Sequence, residues 1–266
     1  MKRAWFVLLI GGSVALCGQQ PAAGAKAEQQ PPAKKVAQAK TPQEYKDFNT
    51  AYALSGGDAV EKAAEDFATK YPTSELKIFL FEKALHEYQT VNNQDKIVAT
   101  GDRVLQLDPD NAIALVLTAN VLSDMLSETD AGLDKKVAEI RKRAGHALEI
   151  MGPSFAPVAN ASPEQVAAYK KTLQGLAHSA LGMTSLKTHD DAGAEKELKA
   201  AAAVNPTPPD PFIWYHLALA QDHQKKYSEA LVSVNMAVQN AASNPDIGEL
   251  AKGEKTRLQT LTGTSQ

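Results

Sequence analysis

The stretch WYHLALAQDHQKKYSEALVSVNMAV, residues 214–238, decides the fold of this chain. Two runs of helix-forming residues stand on either side of the short polar connection HQKK. In each run, apolar or small residues return after three or four positions, at Trp214, Leu217, Ala218, Ala230, Val234 and Ala237. This spacing places them on one side of each helix. The stretch therefore predicts a helical hairpin whose two helices pack against each other.

The same spacing is repeated along the chain. It returns from His178 onward and from Phe81 onward, and weaker copies start near Phe48 and Leu115. The pattern resembles the tetratricopeptide repeat (TPR), whose signature is W-x2-L-G-x2-Y, then A-x3-F, then P, in units of about 34 residues. The resemblance covers residues 41–261 and is strongest in the last unit, although no unit carries the whole signature.

The resemblance implies an all-α fold, a right-handed α-solenoid of about four to five TPR-like helical hairpins. Small residues such as Gly182 and Ala230 are expected to let the two helices of a hairpin approach closely, while Trp214 and Leu217 fill the gap beside them. The final stretch NPDIGELAKGEKTRLQTLTG, residues 244–263, predicts a polar-faced helix that caps the last hairpin.

Helix starts are marked by a capping side chain followed by proline. TPQE at 41–44 and SPEQ at 162–165 show this design, and Asp210 and Asn244 repeat it before a proline. The side-chain oxygen accepts a hydrogen bond from the first turn, and proline occupies a position whose amide has no helical partner. Alternating runs of β-branched residues, which would predict strands, are absent from the sequence.

The N-terminal residues are predicted to lie outside the folded part. MKRAWFVLLIGGSVALC has a basic start and a short apolar run, and AGA at 23–25 offers a cleavage site, as in a secretory signal peptide. We therefore predict a signal peptide at 1–25, a disordered basic tether at 26–41, the solenoid at 42–262 and a disordered tail at 263–266. Cys17, the only cysteine, follows Leu16 rather than a small residue, so removal with the leader is favoured over lipidation.

The charge balance argues against nucleic acid as a partner. The whole chain has a net charge of −3. Residues 1–40 hold six basic residues and one acidic residue, which leaves −8 for the remainder (−3 − 5). A surface of that sign repels a phosphate backbone. The exported leader and the basic tether favour the periplasm or cell envelope of a bacterium, with peripheral envelope association left open.

The predicted binding surface follows from helix geometry and from the resemblance. Positions one, five and eight residues after each anchor turn away from the packing face, and in the TPR family that flank lines a concave groove. A mixed wall of this kind suits an extended or helical protein segment with apolar anchors. The alternative is that residues such as Met183 and Leu219 pack against neighbouring hairpins. The predicted groove residues are Glu82, His86, Asn120, Met183, Tyr215, Leu219 and Asp222.

Catalytic and cofactor motifs are not evident in the sequence. The six histidines form no HExxH or paired arrangement, and no glycine-rich phosphate loop appears. We therefore expect no enzyme activity, no metal and no cofactor. The leading hypothesis is a non-catalytic scaffold of the cell envelope that binds a protein or peptide partner. The alternative is a wall- or membrane-associated structural protein held by Lys34, Lys35 and Lys40 of the tether, and an enzyme is the third choice.

Overall fold

The computed structural model describes residues 37–152, 155, 162–204 and 209–263. These residues form α-helices joined by short turns, and they contain no β-strand. The helices are α1 (Pro42–Tyr52), α2 (Gly57–Lys70), α3 (Lys77–Thr90), α4 (Gln94–Leu107), α5 (Ala112–Met125), α6 (Leu133–Ile150), α7 (Pro163–Lys187), α8 (Asp191–Val204), α9 (Pro211–His223), α10 (Tyr227–Gln239) and α11 (Pro245–Thr262), with a 3-10 turn at Ala241–Ser243.

The predicted helix starts are confirmed. The hydroxyl of Thr41 accepts a hydrogen bond from the amide of Glu44, and Asp210 and Asn244 cap α9 and α11 in the same way. Ser162 forms a complete capping box with Gln165, in which each side chain accepts from the other residue's backbone amide. These contacts satisfy amides that have no partner inside the helix. Local chemistry therefore fixes where these helices begin.

Each helix packs against the next one along the chain, which gives five hairpins, α1–α2 through α9–α10, followed by α11. The first helices α1, α3 and α5 begin at Pro42, Lys77 and Ala112, which are 35 residues apart. A spacing of this size is that of TPR-like hairpins. The predicted all-α solenoid of helical hairpins with a C-terminal helix is confirmed.

The core continues from one hairpin into the next. One cluster of buried apolar side chains joins α1 to α5, a second joins α5 to α7, and two more join α7 to α11. Leu105 and Ile113 pack against both of the first two clusters, and Trp214 packs against both of the last two. A single hairpin has too little interior to bury its own apolar face, so this shared core stabilises the array.

Small residues set the closest helix approach, as expected. A Cβ atom at Gly182 of α7 would lie 2.6 Å from the Cγ of Leu198 on α8. Carbon atoms do not approach so closely without strain, so the spacing of α7 and α8 requires glycine at this position. Ala230 of α10 is also fully buried at the contact with α9.

Helix α7 departs from the regular repeat because it has 25 residues, whereas its neighbours α5 and α8 have 14. The additional turns at its N-terminus carry Leu173 and Ala177, which pack against the apolar face of α5. The fourth hairpin therefore covers more of the third one than a standard repeat would. Residues 153, 154 and 156–161, which precede α7, lie outside the described part of the chain.

The predicted leader at 1–25, most of the predicted tether and the last three residues lie outside the described residues. The described end of the tether is in contact with the first hairpin. Ala37 and Ala39 pack against the first core cluster, and the ammonium of Lys40 donates to the backbone carbonyl of Thr73 at 2.9 Å. No helix in the described part of the chain has the length and apolar character needed to span a membrane.

Candidate protein-binding surface

Of the two predicted groove residues of α3, Glu82 lies at a contact with the start of α5. Glu82 and His86 are both half-buried. A carboxylate oxygen of Glu82 accepts a hydrogen bond from the side-chain amide of Asn111 at 2.6 Å. Because Asn111 also caps α5, this bond holds the start of α5 against α3. Glu82 is therefore already used within the protein, and His86 is the more available of the two.

The prediction that Asn120 lines a groove is not supported by its position. Asn120 is fully buried in α5, and its amide donates to the carbonyl oxygens of Val116 at 3.0 Å and Leu176 at 2.9 Å. Leu176 belongs to the additional turns of α7, which cover this side of α5. Asn120 thus joins two hairpins and offers no surface to a partner.

Met183 and Tyr215 are also mostly buried. Both belong to the core cluster that joins α7, α9 and α11, and their exposed fractions are 5% and 9%. The alternative stated for Met183, packing against a neighbouring hairpin, describes its position in the structure. Burial raises the pKa of the Tyr215 phenol, and the nearby carboxylate of Glu254 raises it further. Tyr215 therefore lies close to α11.

Leu219 and Asp222, the remaining predicted residues, are half-buried on α9 and lie on the side that α11 adjoins. Asp222 forms an ion pair with the guanidinium of Arg257, which also donates to both carboxylate oxygens of Glu254, at 2.8 and 3.0 Å. The carboxylates of Glu254 and Asp222 raise the pKa of Arg257. The Oδ1 atom of Asp222 is buried and has no hydrogen-bond partner.

Helix α11 adds residues to this surface that the sequence reasoning missed. Leu250 and Leu261 are 40% and 49% exposed. At about 100° per residue they fall on the same side of the helix as Glu254 and Arg257. We call the surface formed by α9 and α11 the C-terminal wall. It consists of Leu219, Asp222, Leu250, Glu254, Arg257 and Leu261, whereas Tyr215 belongs to the buried core.

A signal for the contribution of α11 was present in the sequence. The cap and proline at Asn244 and Pro245 repeat Asp210 and Pro211, so α11 begins as α9 does. The spacing of Tyr215, Leu219 and Asp222 also matches that of Leu250, Glu254 and Arg257. The predicted capping helix α11 packs against α10 and α9, as α9 packs against α8 and α7, so it caps the last hairpin in the position of a further first helix.

A cleft is formed by residues of α8, α9 and α10. It has a volume of about 430 Å³ and is lined mainly by apolar side chains, including Trp214, Leu217 and Val232. Trp214 was expected to fill the gap between the two helices of its hairpin, and in the structure it is half-buried and borders this cleft. Its indole Nε1 atom is buried without a hydrogen-bond partner.

Several of the histidines that the structure describes lie next to carboxylates. His178 lies 2.8 Å from Glu197, and His223 lies 2.9 Å from Asp191. Neither pair is among the residues that line the cleft. No group of three or more His, Cys, Asp or Glu side chains that could hold a metal ion occurs in the described residues. These pairs bridge α7 to α8 and α8 to α9, so they contribute to hairpin contacts.

Comparisons with known proteins add the following. No protein-family model matches the chain. No curated protein matches it either. A solved structure of a thermophilic TPR protein from Thermus thermophilus is similar, with 14% identity, a TM-score of 0.48, and coverage of 79% of this chain and 98% of that one. The hairpin architecture given above rests on the packing of α1–α11 in this chain.

Proposed function

We propose that this protein is a non-catalytic scaffold that binds a segment of a protein partner along the first helices of its hairpins. The C-terminal wall carries the proposal. It presents the half-exposed leucines Leu250 and Leu261 on the same side of α11 as Arg257. Arg257 pairs with Asp222, whose Oδ1 atom has no hydrogen-bond partner. Apolar anchors beside a few fixed polar groups are what recognition of a peptide segment requires.

The proposed location is the bacterial cell envelope. The support is the leader-like composition of residues 1–25 and the basic composition of the segment that follows. A partner that carries basic residues fits the −8 charge of the folded part better than an acidic partner does. The location is tested by fractionation of the producing cells, in which recovery of the chain in the cytoplasm alone would contradict it.

Photo-cross-linking of the full chain in the producing cells tests the binding function. A photoreactive phenylalanine analogue is placed at Leu250 on α11 or, as the control, at Leu107 at the end of α4. The two leucines have nearly the same exposure, 40% and 39%, but Leu107 lies on a second helix, away from the proposed surface. We expect a defined cross-linked protein product from position 250 and none from position 107. Equal labelling at both positions, or none at position 250, would contradict the proposal.

The alternative function, attachment to an anionic wall or membrane surface by the basic tether, makes a different prediction. Retention on cell-wall material should fall with salt and with the loss of Lys34 and Lys35. Lys40, the third lysine, already donates two hydrogen bonds to Thr73 and is therefore less available for such attachment. Retention that does not depend on salt would remove this alternative.

A further inference from the structure

We infer that the C-terminal wall recognises a basic side chain, Lys or Arg, flanked by apolar residues in the partner segment. The inference rests on the proposed function and specifies the chemistry of the partner. It follows from the charges of the wall, from one unsatisfied carboxylate oxygen and from the spacing of two exposed leucines.

The charged groups of the wall do not balance. Asp222 and Glu254 contribute two negative charges and Arg257 contributes one positive charge. Both carboxylate side chains are largely shielded, with 13% and 10% exposed, whereas Arg257 is 47% exposed. Charges that are partly removed from water are screened less by solvent and salt. The wall therefore has a residual negative charge at a place where it acts strongly on a bound group.

One carboxylate oxygen has no donor. Arg257 donates to both oxygens of Glu254 and pairs with Oδ2 of Asp222, which leaves Oδ1 of Asp222 without a partner. A buried acceptor without a hydrogen bond is destabilising, more so when it is charged. Oδ1 is buried, so an incoming donor reaches it when the carboxylate turns, and the broad terminal torsion of aspartate allows this turn in exchange for part of the Oδ2 contact with Arg257. An ammonium or guanidinium group supplies both the missing hydrogen bond and the missing positive charge.

The leucines set the neighbours of that basic residue. Leu250 and Leu261 lie on the same side of α11, on either side of Glu254 and Arg257 along the helix. Eleven residues of helix rise by about 16 Å, which is close to the roughly 13 Å between two side chains that are four residues apart on one face of an extended segment. The partner segment is therefore expected to carry apolar residues about two positions before and after the basic one.

Binding of short synthetic peptides to the full chain tests the inference. The probes are fluorescent peptides with leucine two positions before and after a central residue, which is Arg, Gln or Glu. In fluorescence anisotropy, we expect the Arg peptide to bind at least about fivefold more tightly than the Glu peptide. The preference should decrease with salt, since it is electrostatic.

Substitutions in the wall should change this preference in opposite directions. Asp222→Asn removes one negative charge and should bring the Arg and Glu peptides to nearly equal affinity. Arg257→Gln leaves two carboxylates without their cation and should increase the preference for the Arg peptide. Glu249→Gln is the matched control, because Glu249 is on the same helix but 76% exposed and paired with Lys252, so the preference should not change. Loss of folding, checked by circular dichroism, cannot produce an increased preference in one variant and a decreased one in the other.

The outcomes separate the inference from the function on which it rests. Equal binding of the three peptides, or an unchanged preference in Asp222→Asn, would overturn the inference. If a cross-linked product still forms at position 250 in that case, the binding function stands and only the partner chemistry is wrong. If position 250 gives no product and no peptide binds, the proposed function itself fails.

Discussion

Glu195 should be the carboxylate on which the junction of the last two hairpins depends most. It lies on α8 with only 8% of its side chain exposed. It accepts hydrogen bonds at 2.6 Å from the ammonium groups of Lys199 and Lys226, and at 2.9 Å from the amide of Gln224. Lys226 and Gln224 belong to the turn between α9 and α10, so Glu195 fixes this turn to the preceding hairpin.

The contribution of Glu195 to the free energy of unfolding follows from its pKa. Burial alone would raise this pKa, but the hydrogen bonds from Lys199 and Lys226 hold it at about 2, below the ordinary value of 4.5. A decrease of that size corresponds to about 3 kcal/mol of folding free energy when the carboxylate is ionised. Both ammonium groups are half-exposed, which reduces the figure through screening. We therefore expect Glu195→Gln to lower the free energy of unfolding by about 2 kcal/mol at neutral pH.

The stabilisation that Glu195 provides should decrease at low pH. The pKa of Glu195 is lower in the folded state, so its contribution is fully present above about pH 4.5 and is lost as the pH falls towards 2. The measurement is urea unfolding of the Glu195→Gln variant and its parent at several pH values. It is followed by helical circular dichroism and by the fluorescence of Trp214, in a Trp5→Phe background. The difference in unfolding free energy between the two proteins should decrease over that pH range.

Glu229→Gln is the matched control, because Glu229 is 54% exposed and lies 3.5 Å from the same Lys199. Its effect should stay below about 0.5 kcal/mol, as for other surface substitutions. If Glu195→Gln destabilises the protein no more than this control does, Glu195 does not hold the junction. The same conclusion follows if the difference between variant and parent does not change between pH 5 and pH 2.

Three further substitutions test the packing of the array by denaturant unfolding. Gly182→Ala should destabilise the protein by about 1–3 kcal/mol, because the added methyl group meets Leu198. In the control Gly145→Ala the methyl group meets nothing within 4 Å, so this variant should be more stable by about 0.5–1 kcal/mol. Equal effects would contradict the close approach of α7 and α8. Lys187→Met should destabilise by about 1–3 kcal/mol, because the ammonium donates to three carbonyl oxygens at the end of α5, and a neutral result would exclude that role. Trp214→Ala should destabilise the protein by about 1–2 kcal/mol, because one side of the indole borders a cleft. Truncation of a fully buried aromatic residue costs about 3–5 kcal/mol, and a loss of that size would show that the cleft closes.

The sequence predicted those parts of the fold that depend on local chemistry. Helix starts were predictable because Thr41 and Ser162 bond to amides three residues away, within the same segment. The hairpin at 214–238 was predictable because its apolar spacing is regular. The continuous length of α7 was not predicted, although no proline lies between Pro163 and Lys187. The repeat register predicts that a unit starts at His178, whereas the helix that contains His178 already begins at Pro163.

The binding surface was harder to predict because exposure depends on distant parts of the chain. The helix geometry of α5 correctly separates Asn120 from the packing face of its own hairpin, but α7 then covers it. Met183 is buried for a related reason, since the next first helix, α9, packs against α7. Leu219 and Asp222 keep partial exposure, although α11 adjoins their side of α9. The position of a residue in the repeat predicts the direction of its side chain from its own helix. Whether that side chain is buried also depends on the lengths of the neighbouring helices.

The unsatisfied polar atoms of α9 indicate where the array differs from a purely structural stack. Buried polar groups nearly always have hydrogen-bond partners, so each exception requires a cause. Trp214 Nε1 and Asp222 Oδ1 are two such exceptions on one helix, and each lies beside a different neighbour. The indole faces an apolar cleft, where a missing bond is a modest loss for an uncharged donor. The carboxylate oxygen is charged, and Arg257, which pairs with this carboxylate, lies on the side of α11 that carries the half-exposed leucines. The larger loss therefore falls where a bound segment can compensate it. Recognition by this protein is therefore expected at α9 and α11, and the cleft around Trp214 is expected to matter mainly for stability.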